Sequence, residues 1–255
     1  MVLSDDGLSI IVKNGAFNTR VTNKECSVSL GCVGFPKGCT EDDTCQVFAT
    51  YQVKKNQDVT FTLRGKVPPS HYLALGFSQD IKMGDDLVIY CHNKEWRTRV
   101  GISWNTIQRT SIVLDSFDPN IIVNPSFSYY NEILWCEFTL RKETKIQLPY
   151  TSHGKDYDLS RPYYLQLARG AMEENNGGGF ERKRLKLNQH DRRMTTTEKV
   201  FLNRSITPDV QEDNSITIIK IHGSLMVISW MFFADVGTFT AGYFRTRFPE
   251  NAGLY

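Results

Sequence analysis

Residues Gln57–Val67, QDVTFTLRGKV, alternate in a way that places Val59, Phe61 and Leu63 on one face of an extended chain. The same two-residue period returns in HYLALGFS, DDLVIYC, RTRVGISW, RTSIVLDSF, EILWCEFTLRK, YYLQLARG and EKVFLNRS. Each run is short and rich in β-branched and aromatic residues. Turn formers such as PPS, NPS, SHGKD and NNGGGF separate them. Nothing between Tyr51 and Phe201 is long and periodic enough for an amphipathic helix. Many short strands at this spacing predict an antiparallel sandwich or barrel.

One later stretch breaks the pattern. IIKIHGSLMVISWMFFADVGTFTAGYF, Ile218–Phe244, is largely apolar and reads as a membrane span. A helix over 216–244, rising roughly 1.5 Å per residue, exceeds the roughly 30 Å of a bilayer's hydrocarbon core. Arg245 and Arg247 follow it, whereas Asp209, Glu212 and Asp213 precede it. The positive-inside rule then puts the tail in the cytoplasm and the β region outside. Lys220 lies near the outer end and can snorkel. Asp235 lies deeper, with no partner in the span. His222 sits one turn in, next to Gly223, and shares a helical face with Met226, Ser229 and Phe233. Two readings of His222 stand at this level: a ligand for a flat cofactor, or an interfacial histidine bonded to lipid headgroups.

The six cysteines agree with an extracytoplasmic β region. Cys26, Cys32, Cys39 and Cys45 cluster among Gly and Pro, and Cys91 and Cys136 each close a β-like run. A zinc site would need short paired spacings such as Cys-x-x-Cys, and none is present. We therefore expect disulfides, with Cys91–Cys136 as the best pair and three connectivities open to the N-terminal four. NRS at Asn203 is a glycosylation acceptor pattern. The N-terminus has no basic start followed by an apolar run, so an upstream leader is expected to be missing from this chain. A net charge of +2 over 255 residues gives no electrostatic case for a nucleic-acid partner. No nucleophile with an adjacent base is apparent, which argues against hydrolase chemistry. The expected organisation is a Cys-rich lead-in (1–50), a β domain (51–206), a linker (207–215), a membrane helix (216–244) and a cytoplasmic tail (245–255).

Several stretches carry a family resemblance over about residues 32–248. YLALGFSQDIKMGDDLVIYC, ILWCEFTLRK, YYLQLARG and LNQH, in that order, resemble the DOMON domain, in the form fused to cytochrome b561 helices in ferric-chelate reductase-like proteins. KIHGSLMVISW resembles the opening of the first core helix of such a b561-type membrane domain. The resemblance implies an antiparallel β-sandwich followed by one transmembrane helix. Since b561 domains use several helices, it also leads us to expect a fragment or a short form that stops after the first.

It further implies a cofactor, haem b. In haem-binding members, a Met from the MG-x-D stretch and a His after the YY-x-x-x-ARG strand hold the iron; here these are Met83 and His190. Met83 lies in the polar turn QDIKMGDD, where Gly84 lets the backbone bend. His190 lies in the polar KLNQHDRR. His222 matches a ligand of a membrane haem. Function by resemblance is transmembrane electron transfer of the ferric-chelate reductase type, from a cytoplasmic donor such as ascorbate to an outside acceptor such as ferric iron. Ferric-reductase oxidoreductase activity would require a complete membrane domain. The alternative is a non-redox DOMON module, tethered to the membrane, that binds a carbohydrate or another ligand. His71, His92 and His153 are assigned to solvent or to local hydrogen bonds.

Overall fold

The computed structural model describes residues 23–94, 99–106, 110–114, 118, 120–146, 155–175, 184–212 and 215–247. His153, Trp96 and residues 176–180 lie outside them. Two antiparallel sheets dominate. One has five strands in the order β1 (Gly31–Phe35), β2 (Val47–Val53), β3 (Val59–Lys66), β9 (Ile133–Leu140) and β8 (Ile122–Tyr130). The other has seven: β14 (Val210–Glu212), β13 (Arg184–Thr196), β12 (Tyr164–Asn175), β4 (His71–Ser78), β5 (Asp86–His92), β6 (Arg99–Asn105) and β7 (Ser111–Val113). A ribbon of β10 (Glu143–Ile146) and β11 (Lys155–Asp158) stands apart in pairing.

The predicted alternation builds the core between the sheets. Val59, Phe61 and Leu63 of β3 are buried against Leu73, Leu75 and Phe77 of β4 and Leu87, Ile89 and Cys91 of β5. Phe61 meets Phe77 edge-to-face across the interface at 5.3 Å and stacks on Phe138 at 5.7 Å. Tight turns set the registers. Asn131 and Glu132 both take positive φ, 49° and 62°, and so close the β8–β9 hairpin with the twist that antiparallel strands need.

Three disulfides close the cysteine inventory: Cys26–Cys32, Cys39–Cys45, whose first cysteine opens the short helix α1 (Cys39–Asp42), and Cys91–Cys136. The last joins β5 to β9 and so ties one sheet to the other. The structure also extends the β domain beyond its expected ends. β1 and the start of β2 fall in the stretch read as a lead-in. β14 falls in the stretch read as a linker, where Thr195 pairs with Gln211. Cys32 N–H and the Tyr51 hydroxyl both donate to the Ile206 carbonyl, at 3.0 and 3.2 Å, which binds the two termini of the sandwich together.

Beyond β14 the described residues are helical: α2 (Ser215–Ser229), a π-helical turn (Trp230–Ala234) and α3 (Asp235–Arg247). Within it, Ile218–Phe244 is the one helix among the described residues long and apolar enough to cross a membrane, and none of it is buried in protein. Two of its hydroxyls bond to its own backbone: Ser224 and Thr238 donate to the Lys220 and Ala234 carbonyls at 2.9 and 2.8 Å. Such satisfaction within the helix is what a hydrocarbon surround demands.

Candidate cofactor site

The outer face of an antiparallel sheet is ordinarily polar. On the seven-stranded sheet part of it is apolar. The residues that alternate with the core positions are Tyr72 and Ala74 on β4, and Val88 and Tyr90 on β5. With Met172 and Leu187 they form a second buried apolar cluster. Ala74, Gly76 and Ala168 keep this face low, and a cavity of about 440 Å³ opens over it. That size falls in the usual range for small-molecule sites, about 300–1,000 Å³.

Both Met83 and His190 line this cavity. Met83 is half-buried in the loop between β4 and β5, where Gly84 (φ 145°) and Asp85 (φ 63°) turn the chain. His190, also half-buried, arrives by a less regular route. It sits inside β13, not beyond a strand as its polar neighbours suggest. The β12–β13 register slips twice: Arg169 faces Arg192, Gly170 faces His190, and Met172 faces Leu187. Each slip leaves one extra residue on β13, so the same-face spacing there is three instead of two. Leu187, His190 and Arg193 therefore share a face and all line the cavity, while Met194 turns to the main core. In a regular strand Leu187 and His190 would point to opposite sides.

The neighbours of His190 hold this double bulge in place. The Tyr72 hydroxyl donates to the Asn188 carbonyl at 2.9 Å. Burial, and then the charge of Asp191, push the Tyr72 phenol well above its ordinary range, so it remains a donor. Arg169 Nε donates to the bulged Asp191 at 3.1 Å and Arg169 Nη1 to the Lys66 carbonyl at 3.1 Å. Gly170 completes the fit: a Cβ there would lie 2.9 Å from both His190 Cα and the Tyr72 hydroxyl oxygen. Gly170→Val is thus expected to cost about 1–3 kcal/mol, the usual penalty for overpacking, read as a lower urea midpoint. A variant as stable as the parent would show that the bulge does not depend on this approach.

The other singled-out residues lie elsewhere. His222 is exposed on α2 and does not line the cavity. Asn203 is exposed in a turn after β13. His71 shares a hydrogen bond with the Pro69 carbonyl at 2.9 Å, and buried His92 accepts from Lys94 N–H at 3.2 Å through Nδ1. Sequence reasoning did not single out Tyr72, Gln166 or Gly170. Only Gly170 left a signal, as a glycine inside a strand pattern, which marks a bulge or a close backbone approach.

Comparison with known proteins places this chain in a family. The family model described as "DOMON domain" matches residues 43–170. The chain is 25% identical to "Ferric-chelate reductase 1" of Homo sapiens over 222 residues, 87% of this chain and 34% of that protein. It is 24% identical to the protein of the same name from Mus musculus over 223 residues, 87% of this chain and 34% of that one. The chain thus spans about a third of the length of these relatives. Among solved structures, the cytochrome domain of Myriococcum thermophilum cellobiose dehydrogenase aligns with a TM-score of 0.40 at 10% identity, over 71% of this chain and 80% of that one. Because the family match covers half of the chain, from just ahead of β2 to Gly170 beside His190, the chain belongs to the DOMON domain family.

Proposed function

We propose that the cavity takes haem b, which Met83 and His190 would hold through its iron, and that the sandwich relays single electrons to an outside acceptor such as ferric iron. The observation that carries this reading is the convergence of one thioether and one imidazole, far apart in sequence, on a single cavity. The residues fit such a group: the floor is apolar and low, and the donor pair is a soft sulfur with a strong nitrogen. Haem supplies reversible one-electron chemistry. Met83 would favour the ferrous state and so raise the potential, His190 would anchor the iron, and Tyr72, Ala74, Val88 and Leu187 would exclude water. The names of the relatives support a ferric-chelate reductase role for a whole protein of this kind.

In the same reading the sandwich lies outside the membrane and the tail beyond Phe244 lies in the cytoplasm. His222 is one ligand of a membrane haem, fed by a donor such as ascorbate, and Asn203 carries a glycan.

The test is the absorbance spectrum of the full chain in detergent micelles, made with haem available in an oxidising compartment, before and after dithionite. A sharp low-spin b-type spectrum is expected. His190→Ala should lose most of the haem, and Met83→Ala should stay folded but shift towards the five-coordinate high-spin form. An unchanged Met83→Ala spectrum removes Met83 as a ligand. A colourless, folded parent protein overturns the reading in favour of the ligand- or carbohydrate-binding module.

A further inference from the structure

The backbone on both sides of Met83 is held by side chains. Lys82 N–H donates to Asp80 Oδ1 at 2.7 Å, and Gly84 N–H donates to Asp86 Oδ2 at 2.8 Å. The Lys82 carbonyl accepts from Gln166 Nε2 at 3.2 Å, with the Ser78 hydroxyl at 3.5 Å. Ser78, Asp80 and Asp86 belong to the loop or to the strand ends that flank it. Gln166 does not. It comes from β12, on the far side of β4, and has to cross that strand to reach the loop.

Gly76 is where it crosses. Gln166 pairs with Gly76 in the β12–β4 register. A Cβ on Gly76 would lie 3.4 Å from Gln166 Cβ and 3.7 Å from Gln166 Oε1, so the glutamine side chain runs directly over the glycine. Gln166 is only 5% exposed. A buried amide is retained only where it is bonded, and this one spends a donor on the carbonyl next to Met83. The remainder of the loop gains little from apolar burial: Ile81 is 58% exposed and Lys82 is exposed.

We propose that Gln166 is a positioning residue for Met83, a bolt across β4 that holds the Lys82 carbonyl and so keeps the thioether at the cavity. As far as it concerns haem, this rests on the reading of Met83 as a ligand; as far as it concerns the loop, it does not. Gln166→Met keeps the bulk and removes the donor, and Gln166→Glu keeps the size and turns an acceptor towards the carbonyl. Gly76→Val fills the crossing while leaving the glutamine itself unsubstituted.

The experiment treats haem-free full chain in micelles with dilute hydrogen peroxide and follows methionine sulfoxide by peptide mass. In the variants Met83 is expected to oxidise about fivefold faster, the ratio that loss of one ordinary hydrogen bond supports. Met172 and Met194, 4% and 1% exposed, should stay slow and so certify the fold. Combining Gly76→Val with Gln166→Met should add nothing, because both remove the same contact. In haem-loaded protein the same variants should lose low-spin character and shift to a lower potential. Met83 oxidation at the parental rate, in any of the three variants that keeps Met172 and Met194 protected, overturns the bolt. Parent protein that binds no haem removes the proposed function, while the oxidation ratio still decides the role of Gln166.

Discussion

Replacing Cys91 and Cys136 together by alanine is expected to lower the unfolding free energy by about 4 kcal/mol, and the melting temperature by about 10 °C. The magnitude follows from the length of chain that the bond closes. With a sequence separation of 45, the cross-link removes far more freedom from the unfolded chain than either N-terminal bond, each of which spans 6 residues. The same entropy argument assigns about 2 kcal/mol to each short loop. Position adds to length. Cys91 and Cys136 are fully buried, on β5 and β9, so the bond links strands that share no hydrogen-bond ladder. Urea unfolding of the full chain in micelles compares the double variant with the parent and with Cys39→Ala/Cys45→Ala. The long-loop variant should show the larger loss and a steeper denaturant dependence, since its unfolded state expands further. A loss no greater than that of the short-loop variant would mean that packing alone sets the separation of the sheets.

The sequence and the structure part company at identifiable places. The central strands are legible because one face is buried: Val59, Phe61 and Leu63 alternate with threonines and Arg64, and a period of two states the face directly. β1, GCVGF, is buried on both faces and has no alternation to read. β14 is three residues long, and its pairing with β13 is a tertiary fact that its polar composition hides. For the site, Met83 and His190 were named through resemblance, and their meeting in one cavity depends on features that no pattern displays. A bulge changes the face of every residue beyond it, so counting by twos along KLNQHDRRM assigns Leu187 and His190 to opposite sides. Two bulges in succession restore the parity afterwards, which is why Met194 still falls in the core. Gln166 was illegible for a related reason: its role is set by its partner across β4, and sequence periodicity carries no information about which strand lies alongside.

Two buried titratable groups near opposite ends of β5 lead to an expected pH dependence in which one masks the other. Asp86, 2% exposed, is pushed up from 3.8 to about 6, chiefly by burial, with Gly84 N–H and the Ser78 hydroxyl opposing. His92, 3% exposed, is pushed down from 6.5 to about 4 by burial, then by the charges of Arg99 and Lys94. Between 3.8 and about 6 the folded protein holds the Asp86 proton more tightly than the unfolded chain does. Stability from this group is full below 3.8 and is lost as the pH rises through 6. For His92 the unfolded chain binds the extra proton between about 4 and 6.5, so stability is full above 6.5 and is lost as the pH falls through 4. Each displacement corresponds to about 3 kcal/mol, with opposite sign, and the windows overlap. Asp42 and Asp158, held below their ordinary range by the side-chain hydroxyls of Thr44 and Ser160, titrate beneath the overlap. The parent protein is therefore expected to show nearly constant stability from pH 4 to 6. Asp86→Asn keeps an oxygen for Gly84 N–H and removes the falling limb. Its stability should rise by up to about 3 kcal/mol between pH 4 and 6.5, and at pH 7 it should exceed the parent, which there carries a buried charge. Urea midpoints at pH 4.5, 5.5, 6.5 and 7.5 measure both. An Asp86→Asn profile as flat as the parent's would mean that neither group is displaced by burial in the folded state, and that Asp86 and His92 both reach solvent.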